Sequence, residues 1–148
     1  MKRSVFLTYG IITIDLIIAI LMFGFISQSF TETLKFIGEF WLNFSVALLG
    51  LYGFGYFIGI KMEEYASKNS FFSIPVGILG LFCILILGIF TGSSVGFFEE
   101  GIHDAENWNE LKNSLFDYYV KPMYLVIFFG CIPTTITGGI LGYLLKMD

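Results

Sequence analysis

Charge is what this sequence has least of. Asp, Glu, Lys and Arg together make up 14% of the 148 residues, where soluble domains carry about 25%. The eight Lys and Arg are scattered and form no basic stripe, which excludes the electrostatic footprint of a nucleic-acid binder. Cysteine is nearly absent. Cys83 and Cys131 lie within apolar runs and form no C-x-x-C pair, so they read as buried free thiols that say nothing about redox compartment. There is one histidine, His103. Ser93 and Ser94 have no other nearby base, too little for a hydrolase. Neither a phosphate-binding loop nor a dinucleotide fingerprint is present, and no cofactor is expected. The sequence argues against an enzyme more than for one.

Apolar residues fill the space that charge leaves. They are 56% of the chain, and its mean hydropathy is +0.81. A soluble fold of this size buries only ~70% of the surface its unfolded chain exposes, so lipid must cover the remainder. A bilayer core of ~30 Å needs ~20 apolar helical residues. Four stretches qualify: Val5–Ile26, Trp41–Ile60, Phe71–Thr91 and Pro122–Leu145. In lipid each must satisfy its own backbone, and so should be a helix. They show none of the two-residue alternation of membrane β-strands. The first run follows Lys2 and Arg3 as a signal peptide would. It is too long, however, contains Asp15 and lacks a clear small-residue cleavage site, so we expect it to be retained as a span. The expected fold is one all-α domain over 1–148, a bundle of four transmembrane helices.

Orientation follows from the short loops. The amino end, the second loop and the carboxyl end carry Lys2, Arg3, Lys61, Lys68 and Lys146, against Lys35, Lys112 and Lys121 in the first and third loops. This favours a multi-pass protein of the plasma membrane with both termini in the cytoplasm. Two outer segments carry helical signals. Ser29 followed by Glu32 has capping-box spacing, and Phe30, Leu34, Ile37 and Trp41 then recur at helical intervals. Within the 96–121 segment, Trp108, Leu111, Leu115 and Tyr118 do the same. Both predict amphipathic helices lying on the membrane or capping the bundle.

Seventeen glycines are many for such a chain. The pairs Gly55/Gly59, Gly88/Gly92 and Gly138/Gly142 put small residues on one helix face and let backbones approach closely. They predict a tight bundle, a homo-oligomer, or both. Pro133, mid-span in the last stretch, should kink its helix, with Thr134, Thr135 and Thr137 able to re-satisfy freed backbone groups.

Asp15 is the charge in the wrong place. It lies near the middle of the first span, where an ionised side chain costs several kcal/mol. No Lys, Arg or His sits deep in another span to pair with it. It should therefore be neutral or face water, with hydroxyl partners. Counting depth along each helix brings Tyr52, Thr134 and Thr135 to the same level, and this cluster is the expected proton-, ion- or substrate-binding centre. Interhelical hydrogen bonding alone is the structural alternative.

Glu99, Glu100, His103, Asp104 and Glu106 crowd one outer stretch. Helical spacing would put Glu99, Glu100 and His103 on one face as metal ligands. Di-iron bundles, though, need two such E-x-x-H pairs, and zinc prefers more nitrogen or sulfur. A solvated acidic face is the alternative. A single acid in the first of four spans resembles the small multidrug transporters at Asp15, which in that family is Glu. Their loops are much shorter than 96–121. Tetraspanins share the short first and long second outer loop, but their cysteines are missing here. Two functions remain: a transporter- or channel-type protein centred on Asp15, oligomeric so that several copies wall a pathway, or an accessory subunit or immunity-type protein of a membrane complex that acts through its acidic outer segment.

Overall fold

The computed structural model describes residues 3–68, 70–102 and 107–147. Regular structure among them is entirely helical. Helix α1 spans Arg3–Ile26, α2 Phe30–Glu39 and α3 Trp41–Lys68. A 3-10 turn, Ser70–Phe72, leads into α4, Ser73–Gly96, which runs on through a π-type turn, Phe97–Gly101. Helix α5, Trp108–Leu115, passes through a second π-type turn, Phe116–Val120, directly into α6, Lys121–Lys146. Four helical stretches, Arg3–Ile26, Trp41–Lys68, Ser73–Gly101 and Trp108–Lys146, are long and apolar enough to cross a membrane. By helix composition this is a small polytopic membrane protein.

The helices begin and end close to where composition places them, with two exceptions: α4 runs past Thr91 to Gly96 and on through its π-type turn to Gly101, and α3 outruns its apolar stretch as well. Helix α3 continues two turns past the apolar run, to Lys68. Those turns carry Lys61, Glu63, Glu64 and Lys68, and Lys61 meets Glu64 at 3.0 Å on the exposed side. Such pairs add a little support to helix that has left the apolar zone.

Helix α1 packs on α3 and α6, and α4 packs on the same two, so the four long helices form a closed ring. The contacts of α4 with α3 and with α6 are the most extensive. Glycines set these distances. On the α4–α6 seam, a Cβ added at Gly138 would fall 2.7 Å from the Ile78 Cα, and one at Gly142 2.7 Å from the Ile74 Cα. Gly92 of α4 faces Ala47 and Asn43 of α3, and Gly88 faces Leu51. Gly55 and Gly59 of α3 face Ile12 and Thr8 of α1. All three pairs therefore meet helices of their own chain.

The core, which includes Ile11, Ile12, Leu51, Leu81, Ile84 and Leu141, lies toward the end of the bundle that carries both termini. Helix α1 buries Ser4, Val5, Thr8, Ile11 and Ile12, and beyond these only Gly24. Helix α6 buries no residue before Thr134. In the other half Ile17, Leu21, Phe128 and Ile132 are exposed, as side chains meant for lipid would be. The cysteines correct an expectation: Cys83 and Cys131 are free but lie on the outside of the bundle. An apolar run does not reveal which of its faces points inward.

At the far end, α2 is capped as its spacing predicts, with the Glu32 N–H donating to Ser29 Oγ at 3.3 Å. It turns Thr33 inward and stacks Phe36 among Phe23, Phe40 and Phe44, leaving Leu34 and Trp41 exposed. Asn107 caps α5 by accepting from the N–H groups of Asn109 and Glu110, both at 3.1 Å. The turn after α5 folds back on the end of α4. There Tyr118 donates to Glu100 at 2.7 Å and Tyr119 donates to Ser94 at 3.1 Å.

Candidate functional site

The packed face of α1 carries polar side chains among the apolar Val5, Ile11 and Ile12. Ser4, Thr8 and Asp15 stand at helical intervals on it, and Ser4 and Thr8 are fully buried. Asp15 comes last, half-buried, at the level where the core ends and α1 and α6 open to their surroundings.

The partner that α6 offers is Thr137. Its Oγ1 lies 3.1 Å from Asp15 Oδ2, 2.8 Å from the Pro133 carbonyl oxygen and 3.4 Å from that of Thr134. A hydroxyl has one proton to give, so these contacts cannot all be donations at once. If Asp15 is ionised, Thr137 donates to it and releases the Pro133 carbonyl. If Asp15 is protonated, its O–H donates to Thr137, and Thr137 keeps its shorter bond to Pro133. The second oxygen, Asp15 Oδ1, is buried without a hydrogen-bond partner among the described residues. No ion pair among the described residues involves Asp15.

The residues expected around Asp15 are distributed differently. The Tyr52 hydroxyl lies 2.9 Å from Thr13 Oγ1, and its ring meets Tyr9 edge-on at 5.2 Å. Thr13 precedes Asp15 by two residues, which turns it to the opposite flank of α1. Thr135 is exposed and donates to the Cys131 carbonyl at 2.6 Å. Thr134 is buried one turn from Thr137, and only its carbonyl oxygen approaches that hydroxyl. Depth counting found the right level of α6 but not its rotation. The signal was present: Thr134, Thr137, Gly138 and Leu141 recur at the spacing of one face, and Gly138 marks that face as the packed one.

Comparison with protein-family models, curated proteins and solved structures finds no match. Chemistry must therefore be read from the site itself.

Pro133 has no N–H, so the Phe129 carbonyl one turn before it loses its usual helical donor. One turn later Thr137 bonds back to the Pro133 carbonyl, a contact known to bend helices. The protonation state of Asp15 thus decides which way the Thr137 hydroxyl points, and with it whether a carbonyl beside the proline keeps an extra bond.

The metal candidates are only partly in view. Glu99 and Glu100 are exposed at the end of α4, with Glu100 held by Tyr118. His103, Asp104 and Glu106 lie outside the described residues. Among the described residues no group of three metal-ligating side chains occurs.

Proposed function

We propose that the protein is a small transporter-type membrane protein in which Asp15 takes up and releases a proton, or exchanges it for a cation. One observation carries this reading: a carboxyl group midway along an apolar helix, with one oxygen on the Thr137 hydroxyl and the other unpartnered among the described residues. Ionisable groups at that depth are costly and tend to mark ion or proton pathways. Beyond Thr137, side chains of α1 and α6 that include Ile17 and Phe128 are exposed; an approach to Asp15 would come from that side, and Pro133 gives α6 a place to bend. With both termini in the cytoplasm, as the Lys and Arg distribution favours, that approach faces outward. The pairs Gly55/Gly59, Gly88/Gly92 and Gly138/Gly142 are committed within the chain, whereas Gly10 and Gly53 face open space, so a second copy, if one completes the pathway, would have to dock on faces other than those of the three pairs.

The test is proton flux into liposomes of the purified chain, side by side with Asp15→Asn. Flux in the unmodified protein that disappears in a folded Asp15→Asn variant supports the reading. Undiminished flux in the variant ends it.

A second reading has its own observation. Trp108 is 66% exposed at the start of α5, beside the acidic stretch that begins at Glu99. That arrangement suits an accessory subunit or an immunity-type protein that meets a basic partner. A stoichiometric protein retained through gentle purification, and lost on neutralising Glu99 and Glu110, would favour it over transport.

A further inference from the structure

The end of the bundle that carries the termini holds a cavity of about 240 Å³ between α1, α3 and α6. Ser4, Glu63, Ser67 and Lys146 are among the residues that line it. Arg3 lines it too, but already has an interaction of its own. A cavity this polar and this large has room for several waters. Glu63 is half-buried, and Ser4, 1% exposed, donates to its Oε2 at 2.6 Å. That is the length of a strong charge-assisted bond. Its neighbour Glu64 faces outward to Lys61, so of two adjacent carboxylates only Glu63 is turned into the cavity. Glu63 Oε1 has no hydrogen-bond partner among the described residues.

The cavity and Asp15 lie on one seam. Asp15 follows Ser4 by about three turns of α1, which returns it to the same face about 16 Å further along. On α6, Leu145 borders the cavity and follows Thr137 by about two turns. What separates the two sites is packed. Thr8, Ile11 and Ile12 of α1 and Leu141 of α6 are buried, Thr8 and Leu141 completely. Asp15 is therefore shut off from the cavity in this state. A carrier must open its midplane site to each side in turn, and a polar cavity at the closed end of the seam is where the second opening would lead. We propose that this cavity is the second mouth of the pathway to Asp15, with Glu63 as its proton-accepting group and Thr8, Ile11 and Leu141 as the closed gate between them. The proposal rests on the transport reading above. When the seam parts, water from the cavity reaches Asp15. The Asp15 O–H bond breaks and leaves a carboxylate. The Glu63 carboxylate takes the proton through that water, forming its own O–H bond, and then releases it to the cavity.

Proton flux into liposomes of the full chain tests it, with the unmodified protein, Asp15→Asn, Glu63→Gln, Glu63→Asp, Leu141→Ala and Met62→Ala side by side. Unfolding followed by tryptophan fluorescence confirms that each variant is folded before it is scored. Glu63→Gln keeps an acceptor for Ser4 but has no carboxylate to take a proton. Its flux should fall several-fold, and Glu63→Asp should restore part of it. Leu141→Ala thins the gate and should raise flux several-fold, and the rise should vanish when Asp15→Asn is added. Met62 is also buried, but on the α3–α4 seam against Gly80, and its truncation should leave flux as it was. Flux that needs Asp15 yet is unchanged in Glu63→Gln overturns the second mouth and leaves the transport reading standing. A rise in Leu141→Ala that survives Asp15→Asn, or that Met62→Ala matches, is a leak through a loosened bundle and overturns the gate. Flux indifferent to Asp15→Asn overturns both readings together.

Discussion

The hydroxyl of Thr137 on α6 stands 3.1 Å from the carboxylate of Asp15 on α1 and 2.8 Å from the carbonyl oxygen of Pro133. It can serve both only if Asp15 supplies the proton between them. This one side chain joins the misplaced acid of the first span to the proline of the last.

Removing that hydroxyl separates the two. Thr137→Val keeps the shape of the side chain and should cost about 1 kcal/mol, the usual size of a hydrogen bond between membrane helices. Thr137→Ser should cost less. Reversible unfolding in mixed micelles measures both. Proton flux should fall in the valine variant and persist in the serine variant.

The α4–α6 seam depends on having no side chain at Gly138. Gly138→Ala places a Cβ 2.7 Å from the Ile78 Cα, a backbone atom that cannot step aside. Overpacking of this kind costs about 1–3 kcal/mol. Gly53→Ala is the control: nothing lies within 4 Å of its added Cβ, and it should be neutral or slightly stabilising. The same unfolding titration distinguishes them.

Pro133→Ala restores a donor to the Phe129 carbonyl and should leave stability unchanged or raised. If α6 bends there during transport, flux falls several-fold although Asp15 is untouched. Unchanged flux would make the proline a fixed feature of the helix.

Much of this fold was legible because lipid imposes simple rules. Length and apolar composition located four spans, and Ser29 with Glu32 announced the start of α2. The glycine pairs announced close packing but not its address, since Gly138 serves a neighbour in the same chain as readily as another copy. The site was legible in part. A carboxyl group in an apolar run identifies itself, and counting residues gives its depth. Rotation about the helix axis is what counting omits. That is why Tyr52, at the right depth, meets Thr13 instead, and why Thr137 was read only as a support for the proline. Glu63 was hidden for a different reason: adjacent to Glu64 and close to two lysines, it looks like ordinary surface charge until Ser4 is placed against it.

At the far end, Asn107→Ala removes two bonds that start α5. Loss of such a cap costs about 1 kcal/mol. Hydrogen exchange at the amides of Asn109 and Glu110 should speed up accordingly, while that of α1 stays as it was.

Proton exchange at Asp15 is measured most directly by infrared difference spectroscopy of the protein in lipid, cycled between acidic and alkaline buffer. The unmodified chain should show a reversible carboxylic-acid carbonyl band that is absent from Asp15→Asn and shifted in Thr137→Val, where its hydrogen-bond partner is gone. Identical difference spectra for the unmodified chain and Asp15→Asn would mean that Asp15 exchanges no proton, and the transport reading would fall with it.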